Sequence, residues 1–438
     1  MQTGNNTDDL EISVFRALAE KLGRMQEKGP RDAYITSIIK TINPNATQEQ
    51  VERILKNSSD FGFLEKYLND QDIEDIMVNN TKNVFVSSTT KGTSEVPDKV
   101  NTRVELENLV DKLKMYATTQ TANNKIFDVH MPNGSRVNIV DSPLGADITI
   151  RNFRKNALSM IDLIRIGEMS YQMAARLWIY VDGLKVRPAN MLIGGMPASG
   201  KTTLLNSMFS FFRPDERIVV IEETYELNTE TQDNCVRLET SPDIEISDLV
   251  KNALRMRPDM VIIGEVRGEE AKDMMTAMNI GKISMGTIHA GNTRDVITRL
   301  QNTPMNVDQS IIPLIDTIVM VSQVKEKVGQ TRKITQVSEI SGIETKVLLS
   351  DLYTYDYKTH RGSDILPSVT YRDTLARVSG YTPADIIEEE NRRAKILQQL
   401  DKMNIRDLKS INEFCKNYYD NPASALAKIN MSNLGTLE

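Results

Sequence analysis

The sequence of 438 residues carries a net charge of −7 and 40% hydrophobic residues, which indicates an ordinary globular protein with two or three domains. The acidic balance gives no footprint for non-specific nucleic-acid binding, and Cys235 and Cys415 lack metal-ligand spacing, which favours reduced thiols in the cytosol. The polar segment at 1–9 argues against a signal peptide, and the longest apolar run, at 311–321, is too short to span a bilayer, so we expect any membrane association to come through a partner.

The N-terminal part of the chain predicts two regions. Residues 1–57 predict a helical segment, because Phe15, Leu18 and Leu22 recur at helical spacing and Thr47 with Gln50 has the pattern of a capping box. Residues 58–155 predict a small mixed α+β domain. Its strands are expected at 76–78, 84–86, 129–131 and 136–140, and the sequence P-N-G at 132–134 between the last two is typical of a hairpin turn.

The C-terminal part predicts a linker with leading helices at 156–185, an α/β domain at 186–345 and a mainly helical extension at 346–438. Within the α/β domain, strand-like runs alternate with helical runs, which indicates a mostly parallel sheet with flanking helices. The strands are expected at 191–193, 217–221, 260–263, 283–288 and 317–321. In the extension, Thr382 and Pro383 form a typical helix start.

The most informative segment is G-M-P-A-S-G-K-T at 195–202, which matches the phosphate-loop pattern at every defined position. Glycines allow backbone N–H groups to turn inward around a triphosphate, Lys201 is placed to contact the β- and γ-phosphates, and the Thr202 hydroxyl is placed to bind Mg²⁺. An apolar run precedes the loop and a helical pattern follows it, the strand–loop–helix context that a phosphate site requires. The sequence therefore predicts nucleotide binding.

Two further strands lead into ionisable side chains. The strand at 217–221 is followed by Glu222, Glu223 and Glu226, and the strand at 283–288 is followed by His289. Because the carboxyl ends of parallel strands hold the ligand of an α/β sheet, we expect these groups to face the γ-phosphate. The residues by themselves leave open a solvated acidic loop and a structural histidine.

A third strand, at 260–263, has the position of a Walker B strand. The usual pattern ends in Asp-Glu, but this strand is followed by Gly264 and Glu265. The departure predicts that Glu265 is the catalytic carboxylate. Mg²⁺ would then be bound by Thr202, by the phosphates and, through water molecules, by acidic side chains.

The order of these motifs resembles the type II/type IV secretion ATPase superfamily, whose members assemble pili, power secretion or drive the archaeal swimming filament. The resemblance covers nearly the whole chain and is carried by the phosphate loop and by I-E-E-T-Y-E at 221–226, L-R-M-R-P-D at 254–259, I-I-G-E-V-R-G at 262–268 and G-T-I-H-A at 286–290. Segments 72–79 and 131–137 resemble the Tad-pilus branch. Segments 299–306, 404–407 and 418–422 are more similar to the archaellum and archaeal-pilus ATPases.

The resemblance implies a RecA-like ATPase domain that uses ATP and Mg²⁺, and it implies a role for each matching residue. Glu226 would be the catalytic acid of the Asp box, Glu265 that of Walker B, and His289 would lie beside the γ-phosphate. The nucleotide-binding residues would be Gly195, Pro197, Ala198, Ser199, Gly200, Lys201, Thr202 and Thr203. Supporting roles are expected for Glu222, Glu223, Arg255, Arg257 and Arg267.

Arginines of the N-terminal domain distinguish a ring machine from a solitary ATPase. Members of the superfamily use such arginines to close over nucleotide bound to the C-terminal domain. The resemblance therefore implies a catalytic role for Arg151 and nucleotide contacts for Arg136 and Arg154, although surface arginines that only aid solubility remain the alternative. A donated arginine can stabilise the charge that develops in phosphoryl transfer, with effects of roughly 10³–10⁵ in rate.

Together these observations predict a homo-hexameric ATPase motor that assembles or rotates an archaeal type IV pilus-like filament through a multispanning membrane platform protein at the inner face of the membrane. The alternatives are a Tad-type pilus or type II/IV protein-secretion ATPase and, less favoured by the acidic balance, a nucleic-acid translocating ring. The tail beyond about residue 370 is expected to be dispensable for nucleotide binding and to contact partners through Tyr418 and Tyr419.

Overall fold

The structure is a computed structural model that describes residues 5–23, 25, 27–88, 92–121, 125–153, 157–241, 243–326 and 329–434. The chain divides into two compact units, Met1–Asn156 and Ala157–Glu438. No helix among the described residues combines the length and apolar character that crossing a membrane requires.

The described residues of the first unit form five α-helices and an antiparallel sheet of seven strands. The helices are α1 (Asn5–Ala17), α2 (Lys28–Ile42), α3 (Gln48–Ser58), α4 (Glu65–Leu68) and α5 (Arg103–Lys114). The strands are β1 (Ile73–Asn79), β2 (Asn83–Ser88), β3 (Gly92–Val96), β4 (Ala117–Thr121), β5 (Ile126–His130), β6 (Arg136–Ser142) and β7 (Gly145–Arg151), in the order β3-β2-β1-β7-β6-β5-β4. The capping box at Thr47 and Gln50 is present at the start of α3.

The predicted hairpin at 132–134 joins β5 to β6. The N–H of Gly134 donates to the Met131 carbonyl over 2.9 Å, and the glycine has a φ of 89°. A Cβ at this position would also lie 2.8 Å from the Phe153 ring, so both the backbone and the space favour glycine. The hairpin ends beside Arg136, the first residue of β6.

The N-terminal helices and the sheet share one core. Leu18 of the turn after α1 and Ile54 of α3 belong to the same buried cluster as Ile76 of β1 and Ile148 of β7. The predicted boundary at 57/58 therefore divides residues that pack in one unit.

The second unit is built on a nine-stranded sheet. Its strands are β8 (Met191–Gly194), β9 (Ile218–Glu222), β10 (Cys235–Glu239), β11 (Met260–Val266), β12 (Ile283–Ile288), β13 (Thr317–Glu326), β14 (Gly329–Ile343), β15 (Val347–Asp356) and β16 (Arg361–Asp364). Its helices are α6 (Met160–Arg165), α7 (Tyr171–Asp182), α8 (Lys201–Ser207), α9 (Ile246–Ala253), α10 (Glu270–Asn279), α11 (Thr293–Gln301), α12 (Thr370–Ser379), α13 (Pro383–Lys402), α14 (Leu408–Asp420) and α15 (Pro422–Lys428).

The sheet has the order β10-β9-β11-β12-β8-β13-β14-β15-β16, and its first six strands run parallel. The remaining three strands are antiparallel. Both faces are covered: Met191 and Ile193 of β8 pack in one core cluster, and Leu192 between them packs in the other. The mostly parallel α/β fold expected from the strand–helix alternation is confirmed, as is the helical end of the chain.

Two predicted boundaries of this unit differ from its architecture. The boundary at 345/346 falls between β14 and β15, which pair in the same sheet, so the helical extension proper starts at α12. The segment at 156–185 is largely core rather than linker, because every residue of α7 from Met173 to Asp182 is buried. The local sequence indicates the helix but not which other element of the chain buries it.

That partner is the C-terminal helix α13. Arg393 Nη1 lies 2.8 Å from Asp182 Oδ2 of α7, its Nε donates to Glu389 Oε1 over 2.8 Å, and its guanidinium lies 4.8 Å from the centre of the Trp178 ring. All of these side chains are buried. A charged cluster inside the core thus joins α7, near the start of the unit, to α13 of the C-terminal extension.

The two tyrosines predicted to contact partners also belong to this core. Tyr418 donates to Glu389 Oε1 over 2.9 Å, and Tyr419 accepts from Trp178 Nε1 over 2.7 Å. Both are 4% exposed. The prediction of a partner surface at Tyr418 and Tyr419 is therefore wrong, because their amphipathic helix covers Trp178 instead of facing solvent.

We expect Arg393→Met to lower the free energy of unfolding of the Ala157–Glu438 unit by about 3–5 kcal/mol, because it leaves Asp182 and Glu389 buried without their cation. Denaturant unfolding followed by the fluorescence of Trp178, the single tryptophan, measures this unit. The control is Lys251→Met, which removes a 59% exposed ammonium 3.6 Å from Asp273 and should cost less than about 1 kcal/mol. Similar small losses in both variants would contradict a structural role for the cluster.

Candidate nucleotide site

The phosphate loop joins the buried strand β8 to helix α8. Gly195 donates its N–H to the Ile288 carbonyl of β12 over 3.2 Å, which holds the loop against the neighbouring strand. A Cβ on Gly195 would lie 2.3 Å from Ser199 Oγ and 2.4 Å from the Val321 carbonyl, so only glycine fits. These residues thus form the tight loop that the motif predicts.

Two hydroxyl groups of this segment have the chemistry that a Mg²⁺–nucleotide complex requires. Ser199 is buried, and its Oγ has no hydrogen-bond partner among the described residues, so it has an unused donor inside the loop. Thr202 follows Lys201 in the first turn of α8. Among the described residues no cluster of three or more His, Cys, Asp or Glu side chains forms a metal site.

Three strand ends converge on Lys201. Its Nζ donates to the Met196 carbonyl over 3.2 Å and lies 3.3 Å from His289 Nδ1. His289 Nε2 in turn lies 3.0 Å from Glu265 Oε1. Because an ammonium can only donate, Nδ1 accepts from Lys201 and Nε2–H donates to Glu265, which assigns a neutral histidine between the cation and the carboxylate.

The electrostatics agree with this arrangement. Burial and then the charge of Lys201 lower the pKa of His289, while Glu265 opposes them. Burial also lowers the pKa of Lys201, and the charges of Glu265 and Glu226 raise it. The histidine therefore remains neutral at pH 7, and the ammonium lies within the field of two carboxylates.

The three acids after β9 do not all face outward as the sequence suggested. Glu222 is 2% exposed, and its Oε1 accepts from the backbone N–H groups of Glu226 and Leu227 over 2.8 and 3.0 Å. Its Oε2 accepts from Arg237 over 3.3 Å. Burial raises the pKa of Glu222, and these donors oppose the rise. Glu222 thus shapes the turn that carries Glu226.

The glycine in the Walker B strand is explained by the same side chain. A Cβ on Gly264 would lie 3.1 Å from Glu222 Cγ, so Glu222 occupies space that an aspartate there would need. Thr287 Oγ1 of β12 donates to the Gly264 carbonyl over 2.6 Å. At the next position, Glu265 is half-buried and directed to His289.

The remaining supporting residues lie at two edges of the sheet. Arg267, after β11, donates to Glu223 and so belongs to the phosphate-loop edge. Arg255 and Arg257 precede β11 and are exposed, so they lie at the opposite edge, a strand length from Glu265. Within one chain the structure does not bring Arg255 or Arg257 to the nucleotide site, because the direction of the strand separates them from it.

The predicted arginines of the first unit belong to adjacent strands. Arg136 of β6 and Arg151 of β7 are direct partners in the antiparallel register. Arg151 Nε lies 3.6 Å from Asp75 Oδ1, and its side chain is 67% exposed. The third, Arg154, lies outside the described residues. The structure thus places the guanidinium-bearing positions 136 and 151 side by side in one sheet.

The hairpin β13–β14 flanks the phosphate loop, and no sequence motif indicated it. Gln323 Nε2 donates to the Ala198 carbonyl over 3.3 Å, and a Cβ on Gly200 would lie 3.0 Å from Arg332 Cδ. Neither Gln323 nor Arg332 has a fixed spacing to the motif. Only the pairing of β13 with β8 places both beside the loop.

A family model described as type II/IV secretion system protein matches residues 57–348, about two thirds of the chain. The chain belongs to this family. Its members are ATPases, so the family predicted from the motif order and the enzyme class, an ATP hydrolase, are confirmed at the level of the family.

Two curated proteins illustrate the range of relatives. Uncharacterized protein MJ0781 of Methanocaldococcus jannaschii is 39% identical over 234 residues, which are 50% of this chain and 32% of that protein. The chain thus spans about a third of the length of this relative. The probable conjugal transfer protein TrbB of Sinorhizobium fredii is 27% identical over 286 residues, 63% of this chain and 85% of its own length.

Among solved structures, the crystal structure of the pilus retraction motor PilT with bound ADP aligns with a TM-score of 0.48 and 15% identity. The alignment covers 82% of this chain and 92% of that one.

We expect two substitutions to move the pKa of His289 in opposite directions. Lys201→Met should raise it by removing a neighbouring positive charge, whereas Glu265→Gln should lower it by removing a negative one. An NMR titration of the histidine side chains measures both, with the His289 signals assigned by their loss in His289→Gln. Shifts of the same sign, or none, would contradict the Lys201–His289–Glu265 chain.

Proposed function

We propose that this chain is a Mg²⁺-dependent ATPase that powers a secretion or pilus machine. The observation that carries the proposal is the row of contacts Lys201–His289–Glu265. The ammonium of Lys201 in the phosphate loop lies 3.3 Å from Nδ1 of a neutral His289, and Nε2 of that histidine lies 3.0 Å from the Glu265 carboxylate. A triphosphate that binds the loop would compete for the Lys201 ammonium. Binding would then free His289 and Glu265 to act on the γ-phosphate and the attacking water.

Each residue has a chemical role in this proposal. Lys201 neutralises the β- and γ-phosphates, and Thr202 with phosphate oxygens and water holds Mg²⁺, which shields the charge on the phosphates. Glu265 orients the attacking water and accepts its proton, a role for which its partly buried position beside a neutral histidine suits it. Glu226 adds a second carboxylate in the field of Lys201. His289 reports the presence of the γ-phosphate, since it contacts both groups that must change partners.

The ring is part of the same proposal. Arg136 and Arg151 are neighbours on adjacent strands of the first unit. A nucleotide bound to a second unit would compete for them, for example with the contact of Arg151 to Asp75. Closure of one unit over the other would complete the site, and a closed heterologous hexamer would repeat that contact around a ring. Rigid-body movement of the units would then convert hydrolysis into work on a membrane platform protein.

The most specific part of the proposal is the kind of filament that the ATPase serves. We infer an archaeal type IV pilus-like filament, which the ring would assemble or rotate. The archaeal-type motifs and the likeness to the Methanocaldococcus jannaschii protein support this inference. The likeness to a probable conjugal transfer protein favours the secretion alternative instead. Stimulation of ATP turnover by cytoplasmic loops of a platform protein or by anionic vesicles supports a membrane-bound machine, whereas stimulation by single-stranded DNA would favour a nucleic-acid translocating ring.

We expect Lys201→Ala and Glu265→Gln both to abolish turnover but to differ in binding. Loss of the ammonium should weaken ATP affinity at least about tenfold, because charged hydrogen bonds to phosphate are lost. The isosteric amide at 265 should retain ATP while kcat falls about 10²–10⁴-fold. Equilibrium binding of a fluorescent ATP analogue and steady-state phosphate release measure the two effects.

The matched control for these variants is Lys251→Gln, which changes an exposed lysine on α9. It should leave both affinity and kcat within twofold of those of the unmodified protein. Near-normal turnover of either Lys201→Ala or Glu265→Gln would contradict the proposed site.

For the ring, we expect Arg151→Ala to keep ATP affinity within about tenfold and to lose most of kcat, because its charge acts chiefly in the closed transition-state geometry. Specific activity should rise with protein concentration, and sedimentation with a non-hydrolysable analogue should show one discrete large species. The control is Arg103→Ala on the same unit, which removes an exposed side chain whose Nε lies 3.1 Å from Glu107 Oε1. An active monomer with unchanged activity on dilution, together with a silent Arg151→Ala, would defeat the motor.

A further inference from the structure

The hairpin β13–β14 supplies two polar side chains to one side of the phosphate loop. Gln323 and Arg332 are direct partners in the antiparallel register, so their side chains leave the sheet on the same face. Gln323 holds the Ala198 carbonyl, and the Arg332 stem covers Gly200. The hairpin therefore places a guanidinium beside the last glycine of the loop, one residue before Lys201.

A buried acid lies beside the strand that carries this arginine. Glu168, between α6 and α7, is 1% exposed, and neither of its carboxyl oxygens has a hydrogen-bond partner among the described residues. Its backbone carbonyl accepts from the N–H of Ile334, two residues beyond Arg332 on the same strand. Burial raises the pKa of Glu168 to about 7, and the charges of Arg332 and Lys333 oppose the rise.

Two other cations of the segments around Glu168 contact other groups. Lys333 donates to the Gly167 carbonyl over 2.9 Å, and Arg165 at the end of α6 donates to Asp401 over 2.7 Å. An acid that is buried with unused oxygens is costly, and fold stability alone gives no reason to keep it. A cation that changes its distance from the acid when an anion binds would provide one.

We propose that Arg332 is a further nucleotide-binding residue, which contacts the phosphates beside Gly200, and that the Glu168 carboxyl positions Arg332 before nucleotide binds. The inference rests on the proposed function, since it concerns the same phosphate loop. The guanidinium of Arg332 would donate charge-assisted hydrogen bonds to the phosphate oxygens. Because it would then lie farther from Glu168, its positive field at that carboxyl group would weaken. Glu168 would then take up a proton in place of its lost counter-charge.

The first experiment compares two adjacent cations of β14 in the full chain. Arg332→Gln should weaken the binding of MgADP about tenfold, measured by isothermal titration calorimetry. Lys333→Gln removes the same charge from the neighbouring position and should change the affinity less than twofold. Arg332→Gln within twofold of the unmodified protein, while Lys201→Ala loses binding, would overturn this inference and leave the proposed function intact. If Arg332→Gln and Lys201→Ala both kept their affinity for MgADP, the result would contradict both this inference and the proposed function.

A second measurement does not depend on the folding of Arg332→Gln. In the unmodified protein, MgADP should protect Arg332 from an arginine-selective dicarbonyl reagent, as followed by peptide mass spectrometry. Equal modification of Arg332 with and without nucleotide would overturn the contact.

The positioning role of Glu168 has its own readout. MgADP binding at pH 7 should take up protons, detected by calorimetry in buffers of different ionisation enthalpy, because the pKa of Glu168 rises further when phosphates draw Arg332 away. Glu168→Gln should bind MgADP but take up fewer protons, with the contribution of His289 common to both proteins. A glutamate with a purely structural role would not contribute to the proton uptake. Equal proton uptake by the two proteins would therefore overturn the positioning role.

Discussion

The parallel register of β8, β9, β11 and β12 places Lys201, Glu226, Glu265 and His289 at one edge of the second unit. Ile288 pairs with Gly194, and Val266 pairs with Ile288, so the residues that follow these strands emerge side by side. The strands are apolar and buried on both faces, and a slip of one residue would exchange the two faces and remove the alignment. The site therefore depends on how the hydrophobic core fixes strand register, more than on any single polar contact.

Within that edge, charge is balanced at short range. Lys201 lies in the field of Glu226 and Glu265, and a neutral His289 separates the ammonium from the second carboxylate. Such a cluster is stable without nucleotide because each group has an opposite or polar neighbour. It is also poised to rearrange, because a triphosphate offers Lys201 a stronger partner and so changes the environment of His289 and Glu265 together. One arrangement thus accounts for both the resting contacts and the proposed chemistry.

The distant parts of the second unit support the same edge. Helix α7 precedes β8, and its burial depends on the pairing of Asp182 with Arg393 and on the packing of Trp178 against the C-terminal helices. The C-terminal tail is therefore part of the scaffold that holds the strand leading into the phosphate loop. We conclude that its removal would expose Trp178 and the α7 core even though no phosphate-facing motif lies in it, which qualifies the expectation that the tail is dispensable for nucleotide binding.

The sequence alone determined the features that depend on short spacing: the phosphate loop, the alternation of strands and helices, the capping box at Thr47 and Gln50, the hairpin at 132–134 and the family. These follow from local backbone geometry and from the order of motifs, which do not require knowledge of distant contacts. Only the tertiary structure decided which charged residues face the site. Glu222 turns inward to nearby backbone N–H groups and to Arg237, and the direction of β11 puts Arg255 and Arg257 at the opposite edge. Contacts between residues far apart in sequence buried Tyr418 and Tyr419 and brought Arg332 to Gly200. No local pattern encodes such contacts, because each depends on how strands and helices pack after they form.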